Sequence, residues 1–210
     1  MTSPKDIFND AWTRCDVLAI AYQHTSSRLT GVYRSEELLR AEWVARVSAL
    51  DLYIHELISQ CMLSIFSKKK SISKGYNKFM LPHHIVDSLR DKSIQDADAE
   101  RIFNLEIRRQ LSFKTYQLPK DIAEGIKFIS NIELWNVVAL HQGANQKTTQ
   151  TTAEGIRKQL EAIVDRRNKI AHEGDMQPSL PRTPWPINHN QLCTVRDFIR
   201  ALVESIDAVV

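Results

Sequence analysis

Apolar residues recur every three or four positions along most of the chain, and this spacing predicts helices. The longest run spans residues 36–67, after Ser35, which is a favourable N-cap residue. One face of this segment carries Leu39, Trp43, Val47, Leu50, Ile54, Leu57, Cys61 and Ile65. Further apolar residues widen that face, so we expect a long helix that is central to the fold.

Other helices are predicted over residues 4–22, 82–89 and 97–113, with Ser3 as the expected N-cap of the first. The core candidates of the last are Ile102, Leu105, Ile107 and Leu111. Four more helices are indicated by residues typical of helix starts. These are Pro119, the capping-box patterns Ser130 to Glu133 and Thr151 to Glu154, and the cap formed by Asn188 to Gln191. Residues 176–186 contain four prolines, which predicts an extended crossing loop. No segment shows the alternation of a strand. We therefore expect a single all-α domain over residues 1–210, a helical bundle of six to eight helices with one long central helix.

The amino-acid composition excludes few classes of function. The net charge of +3 gives no general preference for nucleic acid, and six glycines are few, which favours helices. The three cysteines are far apart, so we expect a reducing, cytoplasmic setting. No stretch approaches the roughly 18 apolar residues that span a bilayer, so no membrane partner is expected. The pair His83-His84 lacks further ligands, and neither a metal nor a cofactor is predicted.

The helix that follows Thr151 carries an arginine on its apolar face. Ile156, Leu160, Ile163 and Ile170 share one stripe, and Arg167 falls inside it. Arg166 lies at the edge of the stripe, and Asn168 lies off it. A guanidinium in such a place needs a partner, because an unpaired buried charge costs several kcal/mol. Three interpretations stay open. The stem of Arg167 lies along apolar surface while its charged end reaches water, the guanidinium pairs with a core acid such as Asp51 or Glu56, or it binds an anion supplied by a ligand.

A histidine follows Arg167 at the predicted end of this helix. Gly174 is expected to be the left-handed residue that ends the helix, which places His172 near the last turn. A histidine there often serves only to cap the helix. A free imidazole, however, has a pKa of about 6.5, which suits proton transfer at neutral pH. An arginine can bind a phosphate through two parallel bonds, so together the two residues can cleave RNA without a metal.

The string from Val164 to Asp175, VDRRNKIAHEGD, resembles the ribonuclease signature of the HEPN superfamily. That signature is an arginine, usually a polar residue after it, and a histidine beyond a gap of four to six positions. Arg167, Asn168 and His172 fit it with a gap of four, and Arg166 fits with a gap of five. The segment from Trp43 to Leu57 is similar to the branch called RiboL-PSP-HEPN.

The resemblance implies a helical bundle that dimerises, with both copies contributing to one composite site. It implies metal-independent endonuclease cleavage of RNA by the ribose 2′-hydroxyl. His172 would act as acid or base, and Arg167 would hold the phosphate. Asn168 either orients one of these groups or forms a hydrogen bond at the end of the helix. Arg166 and Lys169 either bind the substrate backbone or are solvated surface positions. The resemblance also suggests a toxin or phage-defence effector, with an antitoxin or another defence-system component as a partner.

Two other interpretations remain open at this level. In the first, the chain would be a non-catalytic HEPN-like module for dimerisation or RNA binding. In the second, it would be a structural helical protein in which the motif occurs by chance. Glu173 and Asp175 either hold the imidazole or, as we expect, serve as loop caps and surface charges. Trp185, in the proline-rich loop, either stacks on a base or pins the loop to the bundle.

Overall fold

The computed structural model describes residues 2–26, 28 and 35–210. These residues form eight α-helices: α1 (Pro4–Ser26), α2 (Glu36–Phe66), α3 (His83–Arg90), α4 (Asp96–Leu111), α5 (Pro119–Ile126), α6 (Leu134–His141), α7 (Thr149–Glu173) and α8 (His189–Val209). A short 3₁₀ turn covers Tyr76–Lys78. In the described part of the chain the only β pairing is one isolated bridge. The predicted all-α class is confirmed.

The long helix α2 is the centre of the bundle. It has 31 residues, which corresponds to about 46 Å. Helices α1, α4, α5, α7 and α8 all pack against it. Its predicted apolar face is confirmed, with Leu39, Val47, Leu50 and Ile54 fully buried. Helix α2 therefore sets the positions of the remaining helices, including α7, which carries the motif. No helix in the described segments has the length and apolar character needed to cross a bilayer.

Several helix starts differ from the sequence predictions. Ser3 does cap α1, because its hydroxyl accepts from the N–H of Asp6 at 3.1 Å. Ser35 precedes α2 without a capping side-chain bond. The predicted capping boxes before α6 and α7 are wrong. Helix α6 has Glu133 as its N-cap, and Ser130 belongs to the turn that closes α5. Helix α7 starts earlier, at Thr149, after a turn held by the Asn145 side chain.

The buried face of α4 was assigned only in part. Ile107 and Leu111 are in the core as predicted, and Ile102 is half-buried. Leu105 was expected in the core but is 58% exposed, and Phe103 is buried in its place. Residues 103, 107 and 111 recur one turn apart, whereas Leu105 points to nearly the opposite side of the helix.

A buried ionic cluster joins α1, α2 and α8. The carboxylate of Glu42 is fully buried and accepts from Arg196 of α8 at 2.6 and 2.7 Å. It also accepts from Arg46, one turn along α2, at 2.9 and 3.0 Å. Arg46 in turn bonds Asp16 and the backbone carbonyl of Trp12 on α1. The cluster fixes both outer helices against the N-terminal half of α2.

We expect Glu42→Ala to lower the free energy of unfolding by about 3–5 kcal/mol, because Arg46 and Arg196 lose the buried carboxylate that they share. Urea denaturation measures the change. Asp10→Ala is the control, since Asp10 forms only an exposed pair with Arg14 and should cost less than about 1 kcal/mol. Equal stability of the two variants would show that the buried cluster does not hold the helices together.

Candidate active site

The end of α7 is closed by two consecutive residues in the left-handed conformation. Gly174 has φ 63° and Asp175 has φ 58°. The N–H groups of both residues donate to the carbonyl of Lys169, so the last turn is satisfied. The predicted role of Gly174 is confirmed. His172 lies in this last turn with an exposed side chain, and it is therefore accessible to a ligand.

The apolar stripe of α7 contains Arg167 as predicted. Ile156, Leu160 and Ile163 are buried, and Ile170 packs partly against the core. The Arg167 side chain is half-buried, and its Nε is enclosed without a hydrogen-bond partner. Its Nη1 donates to Oδ1 of Asn168 at 2.8 Å. Among the described residues, no carboxylate lies within salt-bridge distance of this guanidinium.

The two core acids considered as partners of Arg167 are engaged elsewhere. Glu56 binds Arg108 with a 2.7 Å contact, and hydrogen bonding from that guanidinium lowers the pKa of the Glu56 carboxyl. Asp51 accepts from the backbone N–H of Tyr116 at 2.6 Å. The interpretation in which either acid neutralises Arg167 is therefore wrong. Two interpretations of the half-buried arginine remain, a stem that lies along apolar surface with its charged end in water, and an anion supplied by a ligand.

Viewed down the axis of α7, the Asn168 side chain lies between those of Arg167 and His172. Arg167 and His172 are five residues apart, which places them about 140° apart around the axis and about 7.5 Å along it. Asn168 precedes His172 by one turn and lies on nearly the same side of α7. By accepting from Arg167, the Asn168 amide draws the guanidinium toward the side of the helix that carries the imidazole.

Arg166, the immediate neighbour, has a different environment. Its Nη2 donates to the Asp175 carboxylate at 2.7 Å and to the carbonyl of Pro186 at 3.1 Å. Arg40 of α2 donates to the same carboxylate oxygen at 2.9 Å. Arg166 is thus already neutralised within its own chain, and Asp175 competes with any phosphate for it. Its predicted role in substrate binding stays a prediction. Lys169, the other predicted substrate-binding residue, has an exposed side chain.

Asp175 was expected to be a surface charge or loop cap, and that prediction is wrong. Its side chain is fully buried, and one carboxylate oxygen binds both Arg40 and Arg166. The sequence reasoning also missed Arg40. The signal was available, because Arg40 lies one turn before Val44 on the widened apolar face of α2. The criterion that singled out Arg167 would have selected Arg40 as well.

The loop after α7 covers residues 174–188. Residues 176–186 within it were expected to form an extended crossing segment, but they fold back on themselves. Met176 pairs with Pro184, and Gln177 N–H donates to the carbonyl of Thr183 at 2.9 Å. The N–H of Trp185 returns to the carbonyl of Asp175 at 2.7 Å. These bonds satisfy the backbone locally, since the prolines leave few other donors. The loop therefore ends beside the start of α2 and the motif of α7.

Arg167, Asn168 and His172 lie in the last two turns of α7, with Arg167 and His172 on different sides of the helix. A family model for RiboL-PSP-HEPN matches residues 16–210. The chain belongs to the RiboL-PSP-HEPN family. The resemblance predicted from the segments Trp43–Leu57 and Val164–Asp175 is confirmed, and it extends over almost the whole chain. No curated protein and no solved structure matches it.

Within the described ranges of this RiboL-PSP-HEPN protein, no group of three or more His, Cys, Asp or Glu side chains is arranged to hold a metal ion. The polar groups at the end of α7 are a guanidinium, an amide and an imidazole. This set offers hydrogen bonds and positive charge to an anion, and one group that can exchange a proton.

We expect Asp175→Asn to lower the free energy of unfolding by roughly 3 kcal/mol, because two arginines at a buried site lose their shared charge. Asparagine tolerates the left-handed backbone, so the change isolates the charge. Thermal and urea unfolding measure the effect. The control is Glu37→Gln, which removes the exposed carboxylate that binds Arg40. If both variants unfold alike, the buried carboxylate has no special role.

Proposed function

We propose that this protein is a metal-independent endoribonuclease, with Arg167, Asn168 and His172 as its catalytic residues. The observation that carries the proposal is the half-buried guanidinium of Arg167, which has no carboxylate partner among the described residues. A protein that leaves such a cation uncompensated does so at an energetic cost, and a bound anion removes that cost. A phosphodiester is the anion that the family assignment favours.

The reaction is an in-line transfer of the phosphoryl group within the RNA chain. His172 accepts the proton of the ribose 2′-hydroxyl, whose oxygen then attacks the neighbouring phosphorus. The bond from phosphorus to the 5′-oxygen breaks, and that oxygen leaves with a proton from an acid. Arg167 stabilises the negative charge on the non-bridging oxygens of the phosphate. The products are a 2′,3′-cyclic phosphate and a free 5′-hydroxyl.

The other motif residues have supporting roles. Asn168 holds the Arg167 guanidinium by the 2.8 Å hydrogen bond and so limits the directions in which it binds a phosphate. Lys169 is exposed on the next position and steers the RNA backbone by its charge. Arg166 serves mainly to hold the end of α7 through Asp175. A role as a toxin or phage-defence effector, with an antitoxin or defence-system partner, rests on the resemblance alone.

The proposed site is composite and forms between two copies of the chain. One chain supplies a single His172, whereas the reaction uses both a base and an acid. A two-fold dimer brings a second imidazole and a second guanidinium to the same phosphate. On one helix, Arg167 and His172 point about 140° apart. In a dimer, Arg167 of one copy and His172 of the other copy can face the same phosphate.

We expect the purified protein to cleave single-stranded RNA in the presence of EDTA. Arg167→Ala and His172→Ala should each lower the rate at least about 100-fold, because they remove charge stabilisation or proton transfer. Gel analysis with end-labelled RNA measures the rate, and the products should carry the 2′,3′-cyclic phosphate.

The matched control for these variants is Lys158→Ala, an exposed cation on the same helix outside the motif. It should retain cleavage within about twofold. Cleavage that persists in both motif variants would contradict the assignment of the site. RNA binding without any cleavage by the unmodified protein would favour the non-catalytic RNA-binding module.

The composite site predicts a dimer and a dominant effect of an inactive copy. Sedimentation at micromolar concentration should show a dimer. Mixing the unmodified protein with excess His172→Ala protein should reduce cleavage well beyond dilution, because mixed dimers hold only one imidazole at the site. A strict monomer that cleaves RNA, or activity independent of the added variant, would rule the composite site out.

A further inference from the structure

Four tryptophans lie in the described part of the chain, and Trp185 differs from the other three. Trp43 and Trp135 are buried, and their indole N–H groups donate to the carbonyls of Ile163 and Pro119. Trp12 is buried beneath the Arg46 guanidinium, 4.3 Å from the ring centre. Trp185 is 37% exposed. For its ring, neither an aromatic nor a cationic partner is found among the described residues.

The backbone of Trp185 is nevertheless firmly held. Its N–H donates to the carbonyl of Asp175 at 2.7 Å, and its carbonyl accepts from Arg40 at 2.7 Å. Prolines on both sides restrict the adjoining dihedral angles. These backbone bonds hold the loop in place. They present a partly exposed aromatic side chain on a fixed backbone, which lowers the conformational entropy lost on binding.

Trp185 also lies at the motif end of α7. Its carbonyl is 3.4 Å from Nη2 of Arg166, the residue directly before Arg167. Asp175, which binds the N–H of Trp185, follows His172 by three residues. The loop that carries the indole therefore contacts the start of α2 and the end of α7, next to Arg166, the residue before the candidate phosphate-binding arginine.

We propose that Trp185 forms a nucleobase subsite, in which its indole stacks on an unpaired base next to the phosphate bound by Arg167. This inference rests on the proposed function, because it takes RNA as the ligand. An exposed aromatic side chain near a basic motif can bind single-stranded nucleic acid, with the ring stacking on a base and the cations binding the backbone. The paired bases of a duplex are not accessible to such a ring.

The test measures binding separately from cleavage, in the His172→Ala background. Fluorescence anisotropy with a labelled single-stranded RNA decamer reports the affinity. Trp185→Ala should weaken binding about 5- to 100-fold, the usual loss when one stacking aromatic is removed. Trp185→Phe should restore most of the affinity, and duplex RNA should bind equally to all three proteins. The control is Phe113→Ala, which removes an exposed aromatic ring outside the loop.

Intrinsic fluorescence gives a second readout that a merely structural role would not change. Titration of the His172→Ala protein with unlabelled RNA should quench its tryptophan emission, because the exposed ring contacts a base. The Trp185→Phe variant should lose this quenching, since the other three tryptophans are buried. Circular dichroism and thermal unfolding confirm that each variant is folded.

The outcomes separate this inference from the proposed function. Unchanged affinity and persistent quenching in the Trp185 variants would overturn the stacking subsite, even if the protein cleaves RNA. Failure of the His172→Ala protein to bind single-stranded RNA would overturn it as well. Weakened binding and lost quenching in the Trp185→Ala protein would support the subsite, even if the unmodified protein never cleaves RNA.

Discussion

The buried carboxylate of Asp175 is the contact on which the arrangement of the motif depends. It lies just beyond the end of α7 and binds Arg40 of α2 and Arg166 of α7 through one oxygen. Its backbone carbonyl also accepts from the first residue of the returning chain, Trp185. The central helix, the motif helix and the loop are therefore joined at one point. The positions of Arg167, Asn168 and His172 follow from that junction.

The two adjacent arginines Arg166 and Arg167 have different hydrogen-bond partners. Arg166 and Arg167 differ by about 100° around the helix axis, and this rotation is enough to give them different partners. Arg166 meets the Asp175 carboxylate and two loop carbonyls. Among the described residues, the only hydrogen-bond partner of Arg167 is the amide of Asn168. Arg166 is therefore compensated inside the chain, whereas no carboxylate of the described residues compensates Arg167.

Much of the architecture follows from the sequence pattern. The helical spacing in α2 and α7, the cap at Ser3 and the glycine that ends α7 are local properties, and the structure confirms them. Helix starts were less predictable, because Asn145 provides a turn that competes with the capping pattern at Thr151. On α4, Ile107 and Leu111 were assigned correctly to the buried face, but Leu105 was chosen in place of Phe103, because both residues are strongly apolar.

The sequence by itself determined the all-α class, the position of Arg167 on an apolar stripe and the resemblance that the family match confirms. These depend on residue spacing within one helix, which the chain encodes locally. Only the tertiary structure decided which arginine is neutralised, because Asp175 and Arg40 are 135 residues apart and meet only after folding. The same holds for Trp185, whose exposure depends on how the loop returns against α2 and α7.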